Sequence, residues 1–188
     1  RLPGYETDEL TEMMLDYIDE RASDHSAGQA QPFFAVLSVQ PPHDPYIAPA
    51  EWMERHTPGA IQLRENVPNV DRVVKRARRD LAGYYAMIEN LDWNVGRIID
   101  ALLANGMYED THIIFFSDHG DMHGSHGMTH KTNPYEESLR VPMVFGGGRR
   151  YAMRVGTCDA PINHVDMGPT ALGLCGIDVP DWMEGTDY

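Results

Sequence analysis

The sequence has few cysteines, few basic residues and no long apolar run. Its two cysteines, Cys158 and Cys175, are too few for a disulfide framework or a cysteine metal site, so we expect both to behave as small hydrophobic residues. Lys and Arg number 15 against 29 Asp and Glu, which gives a formal net charge of -14. Nucleic acid is therefore not an expected partner, because phosphate neutralisation needs a basic face. A small anionic substrate remains compatible with a local cationic pocket.

Membrane and export signals are also missing from the sequence. No apolar run approaches the roughly 20 residues that a membrane-spanning helix needs, so no membrane span is predicted. The chain begins at Arg1 without an initiator Met or a signal peptide. We therefore expect its 188 residues to be a piece of a longer polypeptide. The cellular location cannot be read from these features.

Apolar periodicity predicts helices near both ends of the chain and in its middle. A first helix begins with Thr7 as its cap and continues through Leu10–Ile18, where apolar residues recur at helical spacing. The small and polar segment Ala22–Gln31 is predicted to be a loop. The longest helix begins near Val70 or Asp71 and ends at Gly106, and a last helix covers Val165–Leu174.

Continuous apolar runs of strand length predict a buried sheet. They cover Phe33–Val39, His112–Asp118 and Val141–Gly148. Because these strands alternate with helices, the predicted fold class is α/β, with a largely parallel sheet flanked by helices.

Polar residues follow two of the predicted strands directly. His43 follows the first strand, and Asp118 and His119 end the second. Ligands of open α/β sheets bind beyond the carboxyl ends of strands, so we expect these side chains to lie near a ligand. Asp118 and His119 could converge on one cation where Gly120 lets the backbone turn. Taken alone, the Asp-His-Gly sequence is equally compatible with a structural aspartate beside a surface histidine.

The segments around these residues carry a more specific pattern. It comprises Ser117–Gly120, Ser125–Gly127, His130–Lys131, Tyr135–Glu136, Arg140–Pro142 and, earlier in the chain, Pro41–Tyr46. This pattern resembles the sulfatase family of the alkaline phosphatase superfamily, in the family's order and over nearly the whole chain. The resemblance implies an alkaline-phosphatase-like fold that is incomplete, with residues 1–188 forming the central to C-terminal part of a sulfatase catalytic domain.

The resemblance also implies roles for four residues. Asp118 and His119 would be metal ligands, Lys131 would contact the sulfate oxygens, and His43 would bind the substrate near the ester oxygen and help to protonate the leaving group. The implied cofactor is a divalent cation, with calcium first and manganese or zinc as alternatives because nitrogen from His119 softens the site. The implied substrate is a small sulfate ester or a sulfated sugar. Many members are exported, so a periplasmic or secreted location is expected.

One part of the family pattern is missing from the 188 residues. Sulfatases carry a formylglycine made from the first residue of Cys/Ser-x-Pro-x-Arg, and no segment matches; the sequence around Cys158 has its proline at the wrong spacing and lacks the arginine. The family's early Asp-Asp metal ligands are also not found. We therefore expect this chain to bind metal weakly and to be inactive alone. Its partner would be either a missing N-terminal segment or another copy of the chain.

Other interpretations of the same residues remain open. The histidines His119, His123, His126 and His130 could be spaced for zinc, although they lie on a glycine-rich segment without cysteine. The Asp-His pair also occurs in phosphonate monoester and phosphodiester hydrolases of the superfamily. A non-catalytic binding or structural remnant is the third alternative. The basic cluster Arg149, Arg150 and Arg154 is expected to form a solvated face.

Overall fold

A computed structural model of the protein describes residues 3–29, 31–148 and 155–188. The predicted basic cluster of Arg149, Arg150 and Arg154 lies outside these ranges. The chain forms two compact units. The first comprises residues 1–108 and 119–140, and the second comprises residues 109–118 and 141–188.

Two long helices, α1 (Glu6–Ser26) and α3 (Asp71–Ala104), pack together in the first unit. The carboxylate of Asp8 on α1 accepts hydrogen bonds from the side-chain amides of Asn90 at 2.8 Å and Asn94 at 2.7 Å on α3. Both asparagines are almost completely buried, so these bonds satisfy donors that water cannot reach. The helix pair therefore has a specific polar contact.

The first helix is longer at both ends than the sequence predicts. Thr7 lies inside its first turn instead of capping it, and the helix continues into the predicted loop Ala22–Gln31 as far as Ser26. The hydroxyls of Ser23 and Ser26 bond to the carbonyls of Asp19 and Ala22, four residues earlier. These bonds occupy hydroxyl groups that would otherwise compete for the backbone and favour a turn.

Helix α3 has the limits that the sequence predicts. It spans 34 residues, and Gly106 follows it in the left-handed conformation at φ 67°. Ala86 and Met87 of α3 pack against Trp52 on the short helix α2 (Ala50–Met53). A second short helix, α4 (Glu136–Leu139), and a 3-10 turn, Ser125–Gly127, lie in the second segment of this unit.

The predicted strand Phe33–Val39 is wrong. Residues 31–40 form no strand, and the side chains of Phe34 and Val36 are 76% and 70% exposed. An extended segment becomes a strand only when a neighbour pairs with its backbone groups, and none of the described residues does so here. Instead, Phe34–Ser38 line an open groove of about 440 Å³ against Leu10, Met13, Met14 and Tyr17 of α1.

The second unit contains a two-stranded sheet and a short helix. Strands β1 (His112–Phe116) and β2 (Met143–Gly147) pair antiparallel, with His112 opposite Gly147 and Phe116 opposite Met143. Both predicted strands are confirmed with shorter limits. The described residues form no parallel strand pair, so the parallel pairing that the sequence predicts is not observed among them.

Helix α5 (Met167–Leu174) follows a 3-10 turn, His164–Asp166, and matches the predicted last helix. Asn163 and Asp166 form a capping box at this turn. The Asp166 carboxylate also accepts from the backbone amide of Thr186 at 2.7 Å. These backbone hydrogen bonds, from Asn163 and then Thr186, hold the pKa of Asp166 below its ordinary value.

Both cysteines are free and exposed, so neither packs as the small hydrophobic residue that the sequence predicts. Cys158 lies in an irregular segment and Cys175 directly follows α5. Another 3-10 turn, Tyr108–Asp110, precedes β1. None of the helices within the described ranges combines the length and apolarity required to cross a bilayer.

Candidate active site

His43 and Lys131 meet in the first unit, although 88 residues separate them. The Lys131 ammonium nitrogen lies 2.7 Å from Nε2 of His43. The other ring nitrogen, Nδ1, lies 2.9 Å from the carbonyl oxygen of Asp44. A carbonyl only accepts and an ammonium only donates, so Nδ1 carries a hydrogen and Nε2 accepts from Lys131. The ring of His43 is therefore neutral in this arrangement.

His119 lies beside this pair. Its ring centroid is 6.5 Å from that of His43, in an edge-on orientation. Nδ1 of His119 donates to the carbonyl oxygen of Gly120 at 2.8 Å, so Nε2 is the nitrogen with a lone pair. His43, His119 and Lys131 thus form one cluster, as the sequence predicts for three of the four candidate residues.

Gly120 fixes the chain immediately after His119. Its amide donates to the carbonyl oxygen of Ser138 at 2.8 Å, and a Cβ atom at this position would overlap the carbonyl oxygen of Glu137. Only glycine allows the backbone to pass this close to α4. Glycine is therefore required here by close packing against α4, and the sharp turn expected at Gly120 remains a prediction.

Asp118 is the fourth candidate residue. It is the last residue of the first segment of the second unit, and it is bonded through its peptide group to His119. Its assignment as a metal ligand remains a prediction that rests on this adjacency and on the sequence pattern.

The remaining histidines have separate environments. His123 is 5% exposed and packs edge-on against Tyr84 at 4.4 Å between ring centroids. His126 stacks on Tyr135 at 4.1 Å. Within residues 3–29, 31–148 and 155–188, no three His, Cys, Asp or Glu side chains are grouped closely enough to hold a metal ion. The four-histidine zinc cluster is not formed by these residues.

Sequence reasoning missed three residues around the cluster: Asp44, Tyr46 and Asp121. An oxygen of Asp44 lies 3.2 Å from Nδ1 of His43 and 3.6 Å from Nδ1 of His130. The hydroxyl of Tyr46 donates to Asp121 at 2.7 Å. Tyr46 is the last residue of the segment Pro41–Tyr46 and Asp121 directly follows the segment Ser117–Gly120, but neither residue has a role in the family pattern and neither ends a predicted strand.

The Sulfatase family model matches residues 2–177. The chain belongs to the sulfatase family. An ulvan-active sulfatase of Formosa agariphila is 34% identical over 174 residues, which cover 91% of this chain and 33% of that protein. The chain thus spans about a third of the length of this curated sulfatase.

Solved structures confirm the alkaline-phosphatase-like fold. A Bacteroides fragilis structure described as the sulfatase yidJ superposes with a TM-score of 0.87 at 28% identity, over 99% of this chain and 40% of that one. A phosphonate monoester hydrolase of Silicibacter pomeroyi superposes with a TM-score of 0.80 at 22% identity, over 98% of this chain and 41% of that one. The second similarity shows the shared fold alone.

Of the two residues predicted to hold a divalent cation, His119 has a hydrogen-bond partner of the type that metal-binding histidines have. A metal-binding histidine commonly donates its second ring N–H to a backbone carbonyl, which orients the ligating nitrogen. The hydrogen bond from Nδ1 of His119 to the carbonyl oxygen of Gly120 is of this kind. An aspartate directly before it supplies a hard oxygen.

Proposed function

We propose that this chain supplies the leaving-group residues and two of the metal ligands of a sulfuric ester hydrolase. The observation that carries the proposal is the contact of His43 with Lys131, beside His119, in a chain of the sulfatase family. An ammonium group and two imidazoles in one cluster suit a ligand that is anionic and has an oxygen to be protonated. These are the two properties of a sulfate ester.

The geometry gives His43 and Lys131 separate tasks. In the structure, Lys131 donates to Nε2 of His43, so this nitrogen cannot donate a proton at the same time. A bound sulfate group would replace His43 as the acceptor for Lys131. His43, once protonated at Nε2, would then give its proton to the ester oxygen as the sulfur–oxygen bond breaks. The Asp44 carbonyl holds the ring from the other side throughout.

Asp118 and His119 would hold the divalent cation, for which calcium is the first expectation and manganese or zinc are alternatives. When bound, the cation supplies positive charge next to the sulfate oxygens. Two side-chain ligands are few for a cation that takes six to eight oxygens. We therefore propose that additional ligands come from residues beyond these 188 and that the chain alone binds metal weakly.

The nucleophile is also proposed to come from elsewhere, as a formylglycine. The 188 residues contain no Cys/Ser-x-Pro-x-Arg segment from which one could be made. Covalent catalysis cannot begin without it. The 188-residue chain should therefore not hydrolyse 4-nitrophenyl sulfate with calcium, manganese or zinc present. Metal-dependent turnover by this chain alone would contradict this part of the proposal.

The reaction class is tested on a polypeptide in which this chain is joined to a family nucleophile segment. We expect faster hydrolysis of 4-nitrophenyl sulfate than of bis(4-nitrophenyl) phosphate. Replacing Lys131 with Met should lower kcat/KM by roughly 10²–10³-fold, because it removes charge that stabilises the transition state. Lys75→Met is the matched control, since Lys75 is the only other lysine and pairs with Asp71 on the exposed face of α3.

A phosphonate monoester or phosphodiester hydrolase is the second candidate. His119 and the fold shared with the Silicibacter pomeroyi enzyme favour it. Faster hydrolysis of the phosphodiester in the same assay would select this candidate. No hydrolysis of either ester would select a non-catalytic binding or structural role. The substrate alcohol or sulfated sugar and a periplasmic or secreted location remain predictions from the family.

A further inference from the structure

The contact of His43 with Lys131 depends on two segments that lie far apart in the chain. Pro41–Tyr46 carries His43, and the loop Gly120–Lys131 carries Lys131. Asp121 joins the two. Its Oδ2 atom accepts from the hydroxyl of Tyr46 at 2.7 Å. Its Oδ1 atom accepts from the backbone amides of His123 at 3.0 Å and His130 at 3.1 Å.

The two amides bonded to Asp121 belong to residues with unusual backbone conformations. His123 has φ 42° and His130 has φ 64°, both in the left-handed region that non-glycine residues seldom adopt. Such conformations persist only where surrounding contacts determine them. The Asp121 carboxylate supplies one such contact to each residue. His130 is the residue directly before Lys131, so the hydrogen bond from the His130 amide to Asp121 helps to fix the backbone position of Lys131.

Tyr46 anchors the Pro41–Tyr46 side of the junction, by which we mean the hydrogen bonds of Asp121 to Tyr46 and to the Lys131 loop. Its ring packs against His123 at 5.1 Å and Tyr84 at 6.2 Å between centroids. Its carbonyl oxygen lies so close to Gly83 of α3 that a Cβ atom there would overlap it. Tyr46 is three residues after His43, so the hydrogen bond to Asp121 ties the His43 segment to the Lys131 loop at a point already anchored on α3.

Both groups of this hydrogen bond have the required protonation state. Burial raises the pKa of Asp121, but the hydrogen bond from Tyr46 and the nearby His123 and His130 outweigh burial, so the pKa lies below its ordinary value. Burial, and then the bond to Asp121, raise the pKa of the Tyr46 hydroxyl. The geometry assigns these roles directly, because Asp121 accepts from the Tyr46 hydroxyl through Oδ2 and from two backbone amides through Oδ1.

We propose that Asp121 is a positioning residue, whose carboxylate holds His43 against Lys131 by joining the Tyr46 hydroxyl to the backbone of the Lys131 loop. Its importance for hydrolysis rests on the proposed function, whereas the geometric role does not. The structural consequence is that removing the Tyr46 hydroxyl alone should disturb His43 and Lys131, even though Tyr46 contacts neither of them through that hydroxyl.

NMR spectroscopy of the ¹⁵N-labelled 188-residue chain tests this role without any substrate. Tyr46→Phe removes one oxygen and keeps the ring. We expect it to shift the ring nitrogen signals of His43 and the ammonium signal of Lys131. Tyr84→Phe is the matched control, since it removes a hydroxyl from the same aromatic cluster and leaves the Tyr46–Asp121 bond intact; we expect no shift of either signal.

Asp121→Asn tests the other half of the junction. Loss of the charged acceptor should speed hydrogen exchange at the His123 and His130 amides by roughly tenfold relative to the unaltered chain. Tyr46→Phe should leave the exchange of these two amides nearly unchanged, because Oδ1 of Asp121 still accepts from them. If Asp121→Asn fails to fold, the Tyr46→Phe comparison alone decides the proposal.

Unchanged His43 and Lys131 signals in Tyr46→Phe would overturn the proposal and leave Asp121 as a stabiliser of its own loop. Equal shifts in Tyr84→Phe would also overturn it, since a general loosening of the aromatic cluster would then explain them. Neither readout depends on an ester. Failure to find sulfatase activity would therefore count against the proposed function and leave this result standing.

Discussion

At the scale of single residues, the site depends on which nitrogen of each histidine carries a hydrogen. His43 and His119 both direct Nδ1 at a backbone carbonyl, from Asp44 and Gly120 respectively. The proposed function would use Nε2 of both rings. The two neighbouring carbonyls assign this state through local backbone geometry alone. Under the proposed function, His43 would transfer a proton and His119 would ligate a cation.

His123 gives a prediction about stability and pH. Burial lowers its pKa, while Asp121 and Asp80 raise it and Arg64 and His130 lower it; the net pKa is below the ordinary value. The unfolded chain therefore binds a proton at a higher pH than the folded chain does. The stability that the neutral ring supports is fully present above the unfolded pKa and is lost as pH falls through the folded pKa.

The measurement is chemical denaturation of the chain and of His123→Phe at several pH values, from about 1 unit above to about 1.5 units below an ordinary histidine pKa of about 6.5. The unfolding free energy should fall less steeply with acidification in His123→Phe. Identical slopes for the two proteins would show that His123 does not titrate differently in the folded and unfolded chains.

The sequence identified His43, His119 and Lys131 because their residue types and order follow the family pattern and two of them lie next to predicted strands. It did not identify Asp121 as a positioning residue. The Tyr46–Asp121 hydrogen bond joins residues 75 positions apart, and no local periodicity reports such a contact. The left-handed conformations of His123 and His130 were equally hidden, since histidine rarely adopts them.

At the scale of elements, α3 contains two glycines in different surroundings. A Cβ atom on Gly83 would overlap the backbone of Tyr46, whereas Gly96 has open space around the same position. Gly83→Ala should destabilise the first unit by about 1–3 kcal/mol through overpacking. Gly96→Ala should stabilise it by about 0.5–1 kcal/mol, because alanine is the better helix former.

Thermal or chemical unfolding of both variants measures this difference. Since the two substitutions are identical in chemistry and share one helix, helix propensity cancels between them. Equal effects of Gly83→Ala and Gly96→Ala would mean that Tyr46 does not pack closely on α3. The anchor for the His43 segment would then have to be sought elsewhere.

The elements differ in how well their sequence determines them. Helix α3 was predicted with its limits because its apolar stripe and the glycine after it are local signals. The segment Phe33–Val39 has the composition of a buried strand, but a strand also needs a partner, and composition does not report whether a partner pairs with it. The prediction of α3 needed only signals within one segment, whereas the prediction of a strand needed knowledge of a second, pairing segment.

At the scale of the whole molecule, the chain has the sulfatase fold over about a third of the length of the curated Formosa agariphila relative. Its described sheet has two antiparallel strands, and its 188 residues contain no Cys/Ser-x-Pro-x-Arg motif. Fold class could be predicted from sequence because the family pattern extends along the whole chain. The sequence did not determine the metal, the substrate or the cellular location, because these depend on contacts that the 188 residues do not make by themselves.

We propose that His43, His119 and Lys131 together form a binding site for a sulfate ester. Its most direct test is NMR titration of the 188-residue chain with 4-nitrophenyl sulfate, comparing the unaltered chain with Lys131→Met and Lys75→Met. We expect saturable chemical-shift changes at His43 and His119 that disappear in Lys131→Met and persist in Lys75→Met. Shifts that are absent, or that survive in Lys131→Met, would contradict it.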